Sequence, residues 1–158
     1  MILFEACKWL EASRIGTGIR ESQWGFALIE MVHLLSLALL GGALLVTGLR
    51  AWGFLFKEER SGAITRDLGW VVLASFAAML VSGFLLFASG PMRYYGNAAF
   101  RVKLVLIASA VVTGLLTHLM GIRGEGVETP PIAMKAMALL SLTFWLGAGI
   151  AGRVIGVL

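Results

Sequence analysis

Charge and cysteine are both scarce in this chain. Only 14% of its 158 residues are charged, against about 25% in a typical soluble domain, so the composition excludes a soluble fold and indicates a membrane protein. Cys7 is the only cysteine, which excludes a disulfide within the chain, a cysteine zinc site and a Cys-x-x-Cys-His attachment site for c-type haem. The length accommodates one compact membrane domain, 1–158, rather than several.

Motifs of soluble enzymes are missing as well. The chain has no nucleophilic triad pattern, no phosphate-binding loop and no zincin motif. Glu30-x-x-His33 has the spacing of di-iron bundle ligands, but the second copy that such a site needs does not exist. Basic residues are scattered at the ends of apolar runs, which is typical of membrane-flanking anchors and not of a nucleic-acid surface. We therefore expect no nucleic-acid partner and no catalysis by this chain alone.

Long apolar runs dominate what is present. Four of them reach the roughly 20 residues needed to cross a bilayer, and each is expected to be a helix because backbone groups in hydrocarbon must bond internally. The predicted spans are 24–49, 68–90, 98–122 and 132–158. The predicted fold class is therefore all-α, an integral membrane four-helix bundle in contact with the lipid bilayer.

A short amphipathic helix is predicted ahead of the first span, over about 2–14. Its apolar residues recur at helical spacing against charged ones, which favours a helix lying in the membrane interface, with a simple surface arm as the alternative. No cleaved leader is expected, since charges interrupt the apolar core that a signal peptide needs. The apolar positions are Ile2, Leu3, Ala6, Trp9 and Leu10, and the charged ones are Glu5, Lys8 and Glu11.

Two histidines, His33 and His118, are the only ones in the chain, and they lie inside the first and third predicted spans. An ionisable side chain in hydrocarbon is costly and is a functional candidate by default, and imidazole is a common ligand of haem iron. Glu30 and Ser36 lie near the same helical face as His33, where Glu30 would accept a hydrogen bond from the ring and orient it.

Glycines near the two histidines would leave room for a flat ring. Gly41 follows His33 in the first span, and Gly114 lies one turn before His118. The spacing places the two histidines about 10 Å apart in depth, too far for one haem without a shift in span boundaries. Binding of one haem and binding of two stacked haems are therefore both open hypotheses. The alternative is that the two histidines have purely structural roles. The candidate cofactor residues are His33, His118, Glu30, Ser36, Gly41 and Gly114, with the two histidines as metal ligands.

Two segments carry a family resemblance, LIEMVHLLSLALLGGALLVTGLRAWG and SGFLLFASGPMRYYGNAAFRVKLVLIASAVVTGLLTHL. They resemble a family of small bacterial four-span membrane proteins of unknown function, with Asn-Ala-x-His-x-x-Gly in the first span and an Asn-Pro-x-Phe-x-x-Lys turn before a third span that ends in His. The chain departs from that pattern at Glu30, Ser36 and Ala98. The first span is also loosely similar to b-type cytochromes and copper-resistance-D-like membrane proteins. The resemblance implies a multi-pass protein of the bacterial inner membrane and brings no activity. The matching residues here are His33, Asn97, Phe100, Lys103 and His118.

The leading functional prediction is a haem-b-binding electron-transfer subunit of a larger membrane complex, with His33 and His118 as axial ligands. A quinone could dock near the basic and aromatic residues between the second and third spans, but a headgroup anchor is the favoured interpretation of the same residues. The alternatives are a cofactor-free accessory subunit, a small proton or solute transporter using Glu30 and His33, and a chlorophyll-binding subunit. Either a homo- or a hetero-oligomer is compatible with the pattern. These residues are Arg93, Tyr94 and Tyr95 of the turn, with Arg101 and Lys103 in the first turns of the third span.

Overall fold

A computed structural model of the chain describes residues 2–54, 62–123 and 131–155, and the regular elements in these ranges are all α-helices. The predicted all-α class is therefore confirmed. The last three residues of the fourth predicted span, 156–158, lie outside the described residues. In chain order the helices are α1 (Ile2–Glu11), α2 (Arg14–Glu21), α3 (Gly25–Ala51), α4 (Gly62–Ser89), α5 (Pro91–Tyr95), α6 (Ala98–Arg123) and α7 (Ile132–Ile155).

Four of these helices are long and apolar enough to cross a membrane. The spanning segments of α3, α4, α6 and α7 have mean hydropathies between 1.6 and 2.4, and their outward faces carry large exposed apolar side chains such as Leu35, Val81 and Val105. Lipid can cover such faces at no cost, whereas water cannot. The chain is therefore a multi-pass membrane protein. The segments are Gly25–Arg50, Leu68–Ser89, Ala98–Met120 and Ile132–Ile155.

The spanning helices pack side by side around one buried layer. α3 lies between α4 and α7, and α7 packs along α6. Each spanning helix contributes one residue to the centre of the bundle, here called the central layer: Leu40, Met79, Ala110 and Trp145. The central layer gives a common reference level from which the depth of other residues can be counted along each helix.

Two short helices, α1 and α2, cover one end of the bundle, where α1 packs on α5 and α2 on α4. The single predicted helix over 2–14 differs from the structure, which ends α1 at Glu11 and begins α2 at Arg14. Ser13 marks the break because its hydroxyl accepts a hydrogen bond from Gly16 N at 3.1 Å and so caps α2. α1 exposes Trp9, at 75%; its position in the membrane interface stays a prediction.

Aromatic rings hold the connection between α4 and α6 in place. Phe87 stacks on Phe100 at 5.5 Å between ring centroids, and Tyr94 of α5 lies 5.3 Å from Phe100. Asn97 then caps α6, since its Oδ1 accepts a hydrogen bond from Ala99 N at 2.9 Å. The end of the bundle that carries α1, α2 and α5 is thus built from defined side-chain contacts.

Candidate functional site around His33

His33 points from α3 towards α4 and is half-buried. Its Nδ1 lies 3.1 Å from the Met79 carbonyl oxygen and 3.0 Å from Ser82 Oγ. The ring packs closely on the α4 backbone because residue 83 is glycine, where an added Cβ would come within 3.0 Å of His33 Cε1. One imidazole therefore joins two spanning helices inside the membrane.

The hydrogen bonds of His33 determine where its proton lies. The hydroxyl of Ser82 has two acceptors on its own helix, Ala78 O at 2.6 Å and Met79 O at 3.2 Å, so its oxygen is placed to accept from the ring. The Met79 carbonyl oxygen can only accept. The hydrogen-bond network therefore assigns the ring hydrogen to Nδ1. In the neutral ring Nε2 then has the free lone pair, and within the described residues this nitrogen has no hydrogen-bond partner.

Lys103 reaches the same level of the bundle from α6. His33 lies 7 residues before Leu40 and Lys103 lies 7 residues before Ala110, both of the central layer. The lysine side chain runs along Gly152 of α7, where an added Cβ would come within 3.2 Å of Nζ. Its ammonium has no ion pair or hydrogen bond within the described ranges.

Sequence reasoning placed Lys103 in the first turns of the third span, as part of a headgroup anchor, and so missed its place at the level of His33. In the structure Lys103 is half-buried, while Arg93, Tyr95 and Arg101 are exposed. The position of Lys103 in the sequence was an indication, because a lysine five residues into the predicted span 98–122 lies in hydrocarbon. A charged side chain is costly there and is a functional candidate by default. What the spacing did not indicate was which neighbour it would face.

Glu30 makes no hydrogen bond or ion pair with the His33 ring within the described residues, and the hydrogen bonds of Nδ1 go to α4 instead. Glu30 lines an open cavity of about 510 Å³ between α3 and α7, together with Met31, Leu34 and Arg153. Glu30 and Arg153 do not form an ion pair within 4 Å in the described structure. The acidic orienting partner expected for His33 is thus replaced by a backbone carbonyl and a serine.

Ser36, Gly41 and Gly114 take part in helix packing. Ser36 is buried and donates to Val32 O of its own helix at 2.7 Å. A Cβ at Gly41 would lie 3.6 Å from Trp145 Cδ1, and one at Gly114 would lie 3.0 Å from Ser141 Oγ. The room that these glycines leave is therefore occupied by side chains of α7.

His118 is exposed on α6, on the far side of the central layer from His33. It lies 8 residues after Ala110, whereas His33 lies 7 residues before Leu40, so the two rings are about 22 Å apart along the bundle at 1.5 Å per residue. This is about twice the separation expected from span boundaries. The structure does not bring the two histidines together, and the described residues contain no group of three His, Cys, Asp or Glu side chains that could hold a metal ion.

Comparison with known proteins gives a family and no activity. No curated protein and no solved structure matches the chain. One family model covers it almost from end to end, and four apolar helices agree with the four-span family that the sequence resembles. The chain belongs to a family of unknown function (DUF6644), whose model matches residues 6–158.

Proposed function

We propose that this protein is a haem-b-binding electron-transfer subunit of a larger complex in the bacterial cytoplasmic membrane, with His33 as the axial ligand from this chain. The observation that supports the proposal is the hydrogen bonding of His33. A metal-ligating histidine almost always donates its other ring N–H to a carbonyl, a carboxylate or water. His33 has this arrangement, with Nδ1 bonded to α4 and the lone pair on Nε2 left for a ligand.

The residues around His33 fit a haem group in their chemistry. Met79 O and Ser82 would hold the imidazole in one orientation, and His33 Nε2 would ligate the iron. Lys103 supplies a positive charge at the same level of the bundle, which suits a haem propionate because charge-assisted hydrogen bonds to carboxylates are strong. The haem would supply one-electron chemistry, and the chain would supply ligand, orientation and a medium of low dielectric constant.

His118 serves a different site in this proposal. Its ring is about 22 Å from His33 along the bundle and exposed on the surface of α6, so it cannot complete the coordination of a haem held by His33. A second haem shared with a neighbouring subunit is the arrangement that would use an outward-facing imidazole. The partner chain would then also contribute the remaining ligands.

The test is a visible absorption spectrum of the purified full-length protein, expressed in haem-replete cells and reduced with dithionite. The reduced b-type bands are expected in the wild type, absent in His33→Ala and retained in His118→Ala. Ser75→Ala is the matched control, since Ser75 is a buried serine of α4 whose hydroxyl bonds only to Val71 O of its own helix. Circular dichroism of His33→Ala checks that the helices persist. A colourless wild-type protein would reject haem, and a pigment band in the red would replace haem by chlorophyll.

A cofactor-free accessory subunit is the second candidate, and a specific observation favours it. Gly41, Gly83 and Gly114 each face a side chain from a neighbouring helix, which is the arrangement of spanning helices that pack directly on one another. On this hypothesis His33 is a hydrogen-bonded link between α3 and α4. A colourless protein that co-purifies with fixed amounts of other membrane subunits would support this candidate over the first.

A further inference from the structure

We propose that a second site, at the end of the bundle covered by α2 and α5, binds the phosphate group of an anionic phospholipid. The site is a cavity of about 290 Å³, lined by Arg20, Phe26, Ser89, Gly90, Arg93 and Tyr94. Ser89 is the last residue of the spanning segment of α4, so the cavity lies at the level where lipid headgroups are expected. This proposal is independent of any cofactor at His33.

Arg20 provides one fixed cation in the wall of the cavity. Its Nη1 donates to Ser89 O at 2.8 Å and its Nη2 donates to Glu11 O at 3.0 Å. The Glu11 carboxylate is 3.8 Å away, and 43% of the arginine side chain stays exposed. The guanidinium is therefore held in position by the ends of two helices and remains accessible to a ligand.

Arg93 provides a second cation, which no described residue neutralises. It is exposed on α5 and has no hydrogen bond or ion pair within the described parts of the chain. The backbone beneath it is fixed, because Tyr94 packs on Phe87 and Phe100. A guanidinium presents a planar fork of donors that matches phosphate oxygens, and two guanidinium groups lining one cavity suit a phosphate with its negative charge.

The surroundings favour a lipid over a soluble phosphate ester. Phe26 lines the cavity at the start of α3 and is 40% exposed, so the cavity offers an apolar side chain next to its basic wall. Basic residues also exceed acidic ones on α1, α2, α5 and the start of α6, which would attract anionic headgroups. The basic residues are Lys8, Arg14, Arg20, Arg93 and Arg101, and the acidic ones are Glu5, Glu11 and Glu21.

Native mass spectrometry of the full-length protein in neutral detergent tests the proposal, with phosphatidylglycerol or phosphatidylcholine added. We expect phosphatidylglycerol to be retained and its apparent affinity to fall about tenfold in Arg93→Gln, which is about 1.4 kcal/mol and the scale of one lost hydrogen bond to a charged group. Arg101→Gln is the matched control, because Arg101 is exposed at the start of α6 on the same side and does not line the cavity. Its affinity should stay within about twofold of the wild type.

A thermal unfolding midpoint measured on the same samples separates the alternatives. Phosphatidylglycerol should raise the midpoint of the wild type and of Arg101→Gln more than that of Arg93→Gln. Arg93→Gln should fold normally without lipid, since the arginine side chain makes no hydrogen bond or ion pair within the described residues that would be lost. Equal retention of both lipids, or equal affinities in the two variants, would overturn the proposal. Inorganic phosphate that protects as well as phosphatidylglycerol would assign the site to a soluble phosphate ester and overturn the lipid assignment.

Discussion

His33 and His118 occupy parallel spanning helices, and their surroundings have almost nothing in common. His33 faces a neighbouring helix whose backbone comes close because residue 83 is glycine, and it bonds to that backbone. His118 has an exposed ring and no hydrogen bond within the described residues. Since both residues looked alike as intramembrane imidazoles, the comparison shows that the facing helix decides which of them can hold a fixed tautomer.

The largest expected effect separates the two histidines directly. His33→Ala removes the hydrogen bonds between α3 and α4 and leaves a void against Gly83, so the free energy of unfolding should fall by about 3 kcal/mol. His118→Ala should change it by no more than about 0.5 kcal/mol, as exposed positions usually do. Unfolding by SDS titration in mixed micelles measures both. Equal losses in the free energy of unfolding would contradict the difference between the surroundings of His33 and His118.

A substitution at Gly83 disrupts the packing of His33 on α4 while the histidine itself is kept. Gly83→Val introduces a Cβ within 3.0 Å of His33 Cε1, and overpacking of this kind should cost about 2 kcal/mol. Gly69→Val is the control on the same helix, because a Cβ there meets nothing within 4 Å. The free energy of unfolding is measured by the same SDS titration. An equal loss in Gly69→Val and Gly83→Val would be explained by helix propensity and would contradict a specific contact with His33.

Ser82→Ala sharpens the assignment of the His33 proton. It removes one acceptor of Nδ1–H and leaves the Met79 carbonyl, so the free energy of unfolding should fall by only about 1 kcal/mol. Ser75→Ala removes a hydroxyl bonded within its own helix and should cost less. The His33 ¹⁵N chemical shifts should still show a protonated Nδ1 in Ser82→Ala. A switch to the other tautomer would contradict the donor assignment.

Lys103→Met should have the smallest effect on stability. The ammonium has no partner within the described ranges, and a partly buried unpaired charge carries a desolvation cost that methionine removes while keeping most of the volume. The free energy of unfolding should stay the same or rise, within about 0.5 kcal/mol. If haem is bound at His33, the same variant should lower haem occupancy. A loss of stability above about 1 kcal/mol in haem-free protein would show that Lys103 has a protein partner.

Much of the architecture could be predicted from composition and run length. The four spans followed from apolar runs of sufficient length, and α6 begins at the predicted residue, Ala98. The break between α1 and α2 at Ser13 was missed, because a serine within a short amphipathic segment is compatible both with one continuous helix and with a cap between two helices. His33 could be identified as unusual from its place in a hydrocarbon span alone.

The partners of the candidate site could not be predicted in the same way. Glu30 lies three residues from His33 and shares its side of the helix in a helical projection, yet the His33 ring bonds to α4 and Glu30 lines the open cavity between α3 and α7. The close approach of α4 at Gly83 made this orientation possible. Such an approach depends on residues about 50 positions away in the chain, and helical periodicity within one span carries no information about them.

The amino-acid sequence by itself determined that the chain spans a membrane with four helices, because hydrocarbon accepts only long apolar segments whose backbone groups are bonded internally. Only the tertiary structure decided that His33 bonds to α4, that Lys103 lies at its level and that His118 lies on the other side of the central layer. The reason is physical: hydropathy acts on each segment separately, whereas side-chain environments arise from the register and rotation of one helix against another.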